Sequence, residues 1–422
     1  MDAPREAHAT ASESDLARIV AAATVSNLGS MLTRIALPFV AVDLLHASAR
    51  AMSILNAARV VPSLALGLAV ASWIDRRRKR GVLIAADLAH AVLLASVPAA
   101  FLMGWLSMPV LWAFALGSGL LSLVFEVARQ SFVAALVPRE RLVRANARIT
   151  AGNAAAETFA FAAGGWLVQL LSAPFALLAD SLSYLASAAS IGGIRSREPD
   201  PGAAGSRDRS RGIGPGLRAI RRDPELRALA WVAVAGVLAN ETLGVVYMLF
   251  VRRDLGFAPG TLGMLFAIGS LASLASSFLA ARAGRSLGPR GAMAVGLGGA
   301  ALAVGALALA PGSTLLGAAL IAVQQLGDAG FVVYEIHALS LRQAAVPAGL
   351  QARIHGTFSF LSSWAMLVGA LLGGVLGDAL GPRLTIAVAS GAFLAIALAW
   401  LAFAPRHIHA SRAGERASGQ GP

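Results

Sequence analysis

Long apolar stretches, each bounded by a charged residue, a proline or a glycine, recur along the whole chain. A bilayer core about 30 Å thick is crossed by roughly 20 residues at about 1.5 Å rise per residue. Runs of that length fall at residues 18–44, 52–74, 82–104, 108–128, 149–171, 174–194, 227–250, 260–281, 291–311, 313–336, 354–377 and 383–404. Their residues are mostly Ala, Leu, Gly and Val without two-residue alternation, which argues against barrel strands. Backbone groups in hydrocarbon must satisfy one another within a helix, and small residues let such helices pack closely. The expected fold class is an all-α membrane protein with twelve transmembrane helices.

One long polar segment interrupts the pattern at its midpoint, "RSREPDPGAAGSRDRSRGIGPGLRAIRRDPE" at residues 195–225. Its Pro, Gly, Ser and Arg content predicts a linker, with a short basic surface helix from Gly216. Shifting the chain by 209 brings "FEVARQSFVAALVP" from Phe125 over "YEIHALSLRQAAVP" from Tyr334. Glu126 then meets Glu335, Val137 and Pro138 meet Val346 and Pro347, Arg144 meets Arg353, and Gly164 and Gly165 meet Gly373 and Gly374. Two tandem six-helix bundles follow, at residues 18–194 and 227–404, with a tail at 1–17, the linker at 195–226 and a second tail at 405–422. An even helix count per half makes the repeats parallel about an axis along the membrane normal.

Composition agrees: 57% of the 422 residues are hydrophobic, 14% are charged, and mean hydropathy is +0.70. A net charge of +13 would suit nucleic acid, but the bases are placed otherwise. Alternate loops and both tails hold 29 of the 35 Lys and Arg. Positive charge stays on the cytoplasmic side, so both termini and the linker are expected there, in a multi-pass inner-membrane protein. A nucleic-acid partner is not expected. The chain has no cysteine, so disulfide and thiol chemistry are excluded. Asp2, Glu6, Glu13 and Asp15 precede the first span without a basic leader region, so that span reads as retained.

The loop after the second span reads "WIDRRRKRGVLI" at residues 73–84. Together with the two halves and the basic linker, it resembles the major facilitator superfamily, whose pattern there is G-x-x-x-D-R-x-G-R-[RK]. Asp75, Arg76, Lys79 and Arg80 match, while Ala71 and Arg78 replace its two glycines. "LVPRERLVRANARI" from Leu136, "NLGSMLTRIALP" from Asn27 and "LLADSLSYLASA" from Leu177 resemble the branch holding enterobactin-type siderophore exporters and macrolide efflux proteins. The resemblance implies a central cavity lined by spans 1, 4, 7 and 10, and a charge latch in the loop after span 2.

An ionisable group at membrane depth costs about 2.5–3.5 kcal/mol on insertion scales, so each is a functional candidate. Arg34 in span 1, Glu241 in span 7 and Asp328 in span 10 fall towards the middle of the bilayer. Under the resemblance they meet around one aqueous space: Glu241 and Asp328 exchange a proton or bind a cationic group, and Arg34 holds an anionic group or one of the acids. The plainer alternative is a buried ion pair locking helices together. Asn27 and Asn240 lie on the same helices and add hydrogen bonds or packing. Arg59, closer to a helix end, snorkels or gates; Glu157 stands evenly between structural and functional roles. Asp87 and Asp180 read as local hydrogen-bonding or ion-pair residues.

Asp75 against Arg129, or Arg76 or Arg80 against Glu126, with Lys79 nearby, would hold the cytoplasmic ends of the first half until that side opens. Exposed pairs contribute about 0–1 kcal/mol each, so the latch needs several bonds. Arg282, Arg285 and Arg290 copy the bases in the second half without an Asp75 equivalent, leaving Glu335 as the acid. The glycines from Gly369 read as a packing seam rather than a phosphate loop. No P-loop, HExxH, G-x-S-x-G or paired metal-ligand motif occurs, so no cofactor, metal or enzymatic activity is expected. The expectation is a monomeric, proton-coupled exporter of a medium-sized amphipathic small molecule working by alternating access. Lipid or lysolipid movement between leaflets, and a non-transporting receptor or scaffold, are the alternatives.

Overall fold

A computed structural model describes residues 13–136, 139–194, 196, 198, 214–346 and 350–404. Val137, Pro138 and Pro347 of the repeat, most of the linker, residues 1–12 of the first tail and the whole second tail lie outside them. The described residues fold into helices: α1 (Glu13–Phe39), α2 (Ala49–Asp75), α3 (Lys79–Leu102), α4 (Met108–Leu136), α5 (Arg139–Leu171), α6 (Ala173–Gly192), α7 (Gly214–Arg222), α8 (Pro224–Met248), α9 (Pro259–Leu307), α10 (Leu315–Ala345), α11 (Gln351–Leu380) and α12 (Pro382–Phe403). Spans 1–6 are α1–α6, and span 7 is α8. Spans 8 and 9 share α9, which breaks at Gly288 with φ 69° and ψ 163°, a conformation that favours glycine. Spans 10–12 are α10–α12. The surface helix of the linker is α7, whose Ile220 is buried and whose Arg218, Arg221 and Arg222 are exposed. Large apolar side chains such as Leu68, Phe278 and Leu315 stand almost fully exposed, as hydrocarbon-facing surfaces do.

The chain divides into two compact units. The first holds residues 1–47, 58–207 and 258–264; the second holds 48–57, 208–257 and 265–422. In the first, α1 packs on α5 and α6, and α3 on α4 and α6. Ile19, Ile74, Leu83, Phe132 and Ile191 form a buried core at one end of that unit. In the second, α8 packs on α11 and α12 and also touches α10.

The duplication is visible atom by atom. A π-helical turn ends α1 at Val40–Leu44 and another ends α8 at Leu249–Asp254, starting 209 residues apart. Pro38 precedes the first turn, but Tyr247 stands at that place before the second, so proline is not the cause. Arg80 donates to the Gly192 carbonyl and Arg290 to the Leu401 carbonyl. Ser181 Oγ donates to Ala91 O at 2.8 Å, and Ser390 Oγ to Ala301 O at 2.8 Å.

The opening turns of α2 and α9 repeat a docking scheme. In the second unit Ala49 N–H donates to Asp378 Oδ1 at 3.0 Å, and Arg50 Nε lies 3.2 Å from Asp378 Oδ2. In the first unit Gly260 N–H donates to Gln169 Oε1 at 2.9 Å, and Gln169 lies 209 residues before Asp378. The side chain of one helix thus satisfies an N–H that the start of the other leaves open. Close approach depends on glycine: a Cβ at Gly165 would stand 2.8 Å from Gly263 Cα, and one at Gly374 would stand 2.6 Å from Ser53 Cβ. These are the aligned glycines of the repeat.

Candidate functional site

In the second unit, a glycine seam positions the acid of α8. A Cβ at Gly369 would lie 2.5 Å from Leu238 O, and one at Gly373 would lie 2.7 Å from Thr242 O, so α8 and α11 meet with little between them. Thr242 Oγ1 reaches across to Gly369 O at 3.1 Å. Glu241 therefore sits half-buried against α11, its Cβ 3.0 Å from where a Gly369 Cβ would be.

Asp328 is half-buried midway along α10. Gln324 Nε2, one turn earlier, donates to Asp328 Oδ1 at 3.1 Å, and Tyr247 OH of α8 donates to Gln324 Oε1 at 2.8 Å. Gln324 is buried. Its two ends join a phenol on one helix to a carboxylate on another, which fixes the amide orientation and holds the carboxylate in place. Neither Gln324 nor Tyr247 stood out in the sequence, although an amide one turn from an acid within a membrane span was a usable signal. Asn240, beside Glu241, is exposed.

In the first unit Arg34 is exposed, and its Nη1 donates to Met31 Sδ at 3.6 Å. Asn27 Nδ2 donates to Asn153 O at 3.3 Å, tying α1 to α5. Arg59 is exposed, and its backbone carbonyl carbon would lie 3.0 Å from a Cβ on Gly119 of α4. Glu157 is half-buried on α5.

The basic loop has a partner that the sequence did not suggest. Glu198 accepts from the backbone N–H of Lys79 at 2.7 Å and of Arg80 at 3.2 Å, and Lys79 Nζ lies 3.8 Å from it. A carboxylate there caps α3 and complements its dipole. Glu126 is bonded within its own helix, by Arg129 at 2.7 Å and by Gln130 Nε2 at 2.7 Å. Asp75 and Arg76 are exposed. Glu335 is exposed within electrostatic reach of Arg342, whose guanidinium stacks over Phe358 at 4.6 Å. Among the described residues no group of three or more His, Cys, Asp or Glu is placed to hold a metal ion.

A buried polar cluster lies elsewhere in the first unit. Asp87 is fully buried and His90 nearly so, on one face of α3. Tyr184 of α6 stacks on His90 with ring centres 4.4 Å apart and 13° between planes. Asp180, one turn before Tyr184, accepts from Thr33 Oγ1 and from Ser183 Oγ at 3.0 Å. Sequence reasoning treated the two acids as local and passed over His90. The signal was present: i, i+3 and i, i+4 polar pairs inside two otherwise apolar spans.

Paired helical repeats, apolar outer faces and sparse internal charge define a polytopic helical membrane protein with a transporter architecture. A family model described as "Major Facilitator Superfamily" matches residues 19–370, and the chain belongs to that superfamily. Among solved structures, the nucleoside transporter NupG is 12% identical with a TM-score of 0.72, covering 93% of this chain and 99% of its own. A bacterial homologue of the iron transporter ferroportin, in an inward-facing state, is 16% identical with a TM-score of 0.71 over 93% and 99%. A bacterial homologue of the human lysosomal transporter Spinster is 14% identical with a TM-score of 0.70 over 93% and 98%. At such identities the likeness establishes the fold. Among curated protein sequences none matches significantly.

Proposed function

We propose that this chain is a proton-coupled secondary exporter of a medium-sized amphipathic molecule, a drug or a siderophore-like metabolite, working by alternating access. The carrying observation is the Tyr247–Gln324–Asp328 chain: an acid midway along a membrane span, held by a buried amide that a second helix anchors. Such an acid changes charge with protonation and so changes its preference for water or for a passenger. Glu241, set against the glycine seam, is the second acid, and Arg34 with Asn27 and Asn240 contributes polar contacts to the substrate. The motifs shared with siderophore and macrolide exporters favour export and that substrate class.

Both termini lie in the cytoplasm of this inner-membrane protein, which acts as a monomer; the placement of 29 of 35 basic residues supports that orientation. On that side the run from Asp75 to Arg80 works with Glu198 and with Glu126 and Arg129 as a gate, and Glu335 serves the second half. Arg59 and Glu157 take secondary roles. The test is efflux of a dye and antibiotic panel from expressing cells, with and without an uncoupler. Efflux that collapses with the uncoupler and in Asp328→Asn is expected. Uncoupler-insensitive efflux, or full proton-dependent efflux in both Asp328→Asn and Glu241→Gln, overturns the reading.

A further inference from the structure

The first unit contains a buried ionisable cluster that neither its fold nor the proposed substrate site uses. Asp87 is 0% exposed and His90 2%, one turn apart on α3. Among the described residues, no group makes a well-formed hydrogen bond to either Asp87 carboxyl oxygen or to either His90 ring nitrogen; the nearest are the buried Ser187 hydroxyl beside Asp87 and the Ser118 backbone beside His90. Tyr184 covers the imidazole and lies within electrostatic reach of both Asp180 and Asp87. Its hydroxyl is 2.9 Å from Ser30 Oγ of α1, and Ser30 spends its own proton on Ser26 O at 2.8 Å, so the phenol donates to Ser30.

The groups facing this cluster are Ser26, Ser30 and Thr33 from α1, Asp180, Ser183, Tyr184 and Ser187 from α6, and the backbone at Ser118 of α4. The ionisable side chains Glu126 and Arg129 of α4 are bonded to each other. Among the described residues neither Asp87 nor Asp180 has a basic partner within ion-pair distance.

The second unit is an internal control. The matched bonds Arg80–Gly192 with Arg290–Leu401, and Ser181–Ala91 with Ser390–Ala301, fix the alignment of α3 and α6 on α9 and α12. Asp87 then corresponds to Leu297, His90 to Ala300, Asp180 to Ala389, Tyr184 to Phe393 and Ser187 to Ile396. All five counterparts are buried. The same packing is thus achieved with hydrocarbon alone. Burying unsatisfied polar groups opposes folding, so the set in the first unit answers to something other than the fold.

We propose that Asp87 and His90, roofed by Tyr184 and flanked by Asp180, are a proton-binding site inside the first unit, occupied while buried and emptied when water enters. An ionised carboxylate with one hydroxyl beside it and no cation is strongly disfavoured in so dry a place. The buried state is therefore the carboxylic acid beside a neutral imidazole. On hydration the Asp87 O–H bond breaks, its proton leaves as hydronium, and the pair passes from charge 0 to −1. The reverse step reloads it. The coupling of this proton to a passenger rests on the transport reading above; the binding of the proton does not.

The test is infrared spectroscopy of the full chain in lipid nanodiscs, following the protonated-carboxyl C=O stretch in films equilibrated at different pH. At neutral pH the wild type is expected to show the acid band, Asp87→Asn to lose one component of it, and Asp180→Asn to leave that component in place. His90→Gln is expected to shift the Asp87 component, and it serves alone should Asp87→Asn not fold. An Asp87→Asn spectrum identical to wild type at neutral pH, or a band indifferent to His90→Gln, overturns the site. If wild-type chains show the band but move no dye under any pH gradient, the transport reading fails and the proton site stands.

Discussion

Removing the carboxylate of Asp378 separates two effects that one side chain combines. Oδ1 accepts the Ala49 N–H at the first turn of α2, and Oδ2 faces Arg50. Ser48 Oγ already accepts from Ala51 N–H at 3.2 Å, so Asp378 supplies a further acceptor to the four donors that a helix start leaves open. A cap of this kind is worth about 1 kcal/mol, and a charged acceptor brings about 1.5–3 kcal/mol when shielded. The Arg50 side chain is 70% exposed, so its ion pair contributes only a few tenths of the roughly 0–1 kcal/mol typical of surface pairs. The cap should therefore dominate. Asp378→Ala is expected to cost about 1–2 kcal/mol, while Arg50→Ala costs less than about 0.5 kcal/mol. Asp378→Asn, which keeps an acceptor oxygen and loses the charge, should fall between them. Equilibrium unfolding in mixed micelles with increasing denaturing detergent, read by circular dichroism, gives the order. An Arg50→Ala loss equal to that of Asp378→Ala would refute the reasoning, and so would a marked salt dependence of the Asp378→Ala effect.

Other substitutions follow the same logic. Gly165→Ala places a Cβ 2.8 Å from Gly263 Cα and should destabilise by about 1–3 kcal/mol, whereas Gly236→Ala meets open space and should gain up to about 1 kcal/mol; thermal unfolding in detergent compares them. Ser181→Ala and Ser390→Ala each remove one matched bond to a carbonyl, so both should cost about 0.5–1.5 kcal/mol, and a large inequality between them in the same unfolding assay would contradict the repeat alignment. Tyr247→Phe frees Gln324 and should cost about 1 kcal/mol of stability while shifting the pH profile of dye efflux; an unchanged profile would remove Gln324 as the group positioning Asp328.

Helical spans were legible because the hydrocarbon core imposes a length and forbids unpaired backbone. That rule measures apolar runs and stops at the bilayer surface. It therefore missed the first ten residues of α5, which begins at Arg139 in polar sequence, and it placed a loop at 282–290 where helix continues to a single break at Gly288. The duplication was legible through Glu, Pro, Arg and Gly matches, and the glycines proved to mark close helix–helix contacts. Glu198 was not legible as a partner of Lys79, since only the folded chain returns the end of α6 to the start of α3. The Asp87 and His90 cluster was obscured for another reason: depth was judged along each helix, whereas burial depends on which face α6 covers.

The paired π-helical turns mark equivalent exits from the two halves. A π-helical turn is rare, and here one recurs at Val40 and at Leu249, 209 positions apart. The same loosened turn thus ends the first span of each half, so both halves deliver the chain from bilayer to loop by one and the same local device.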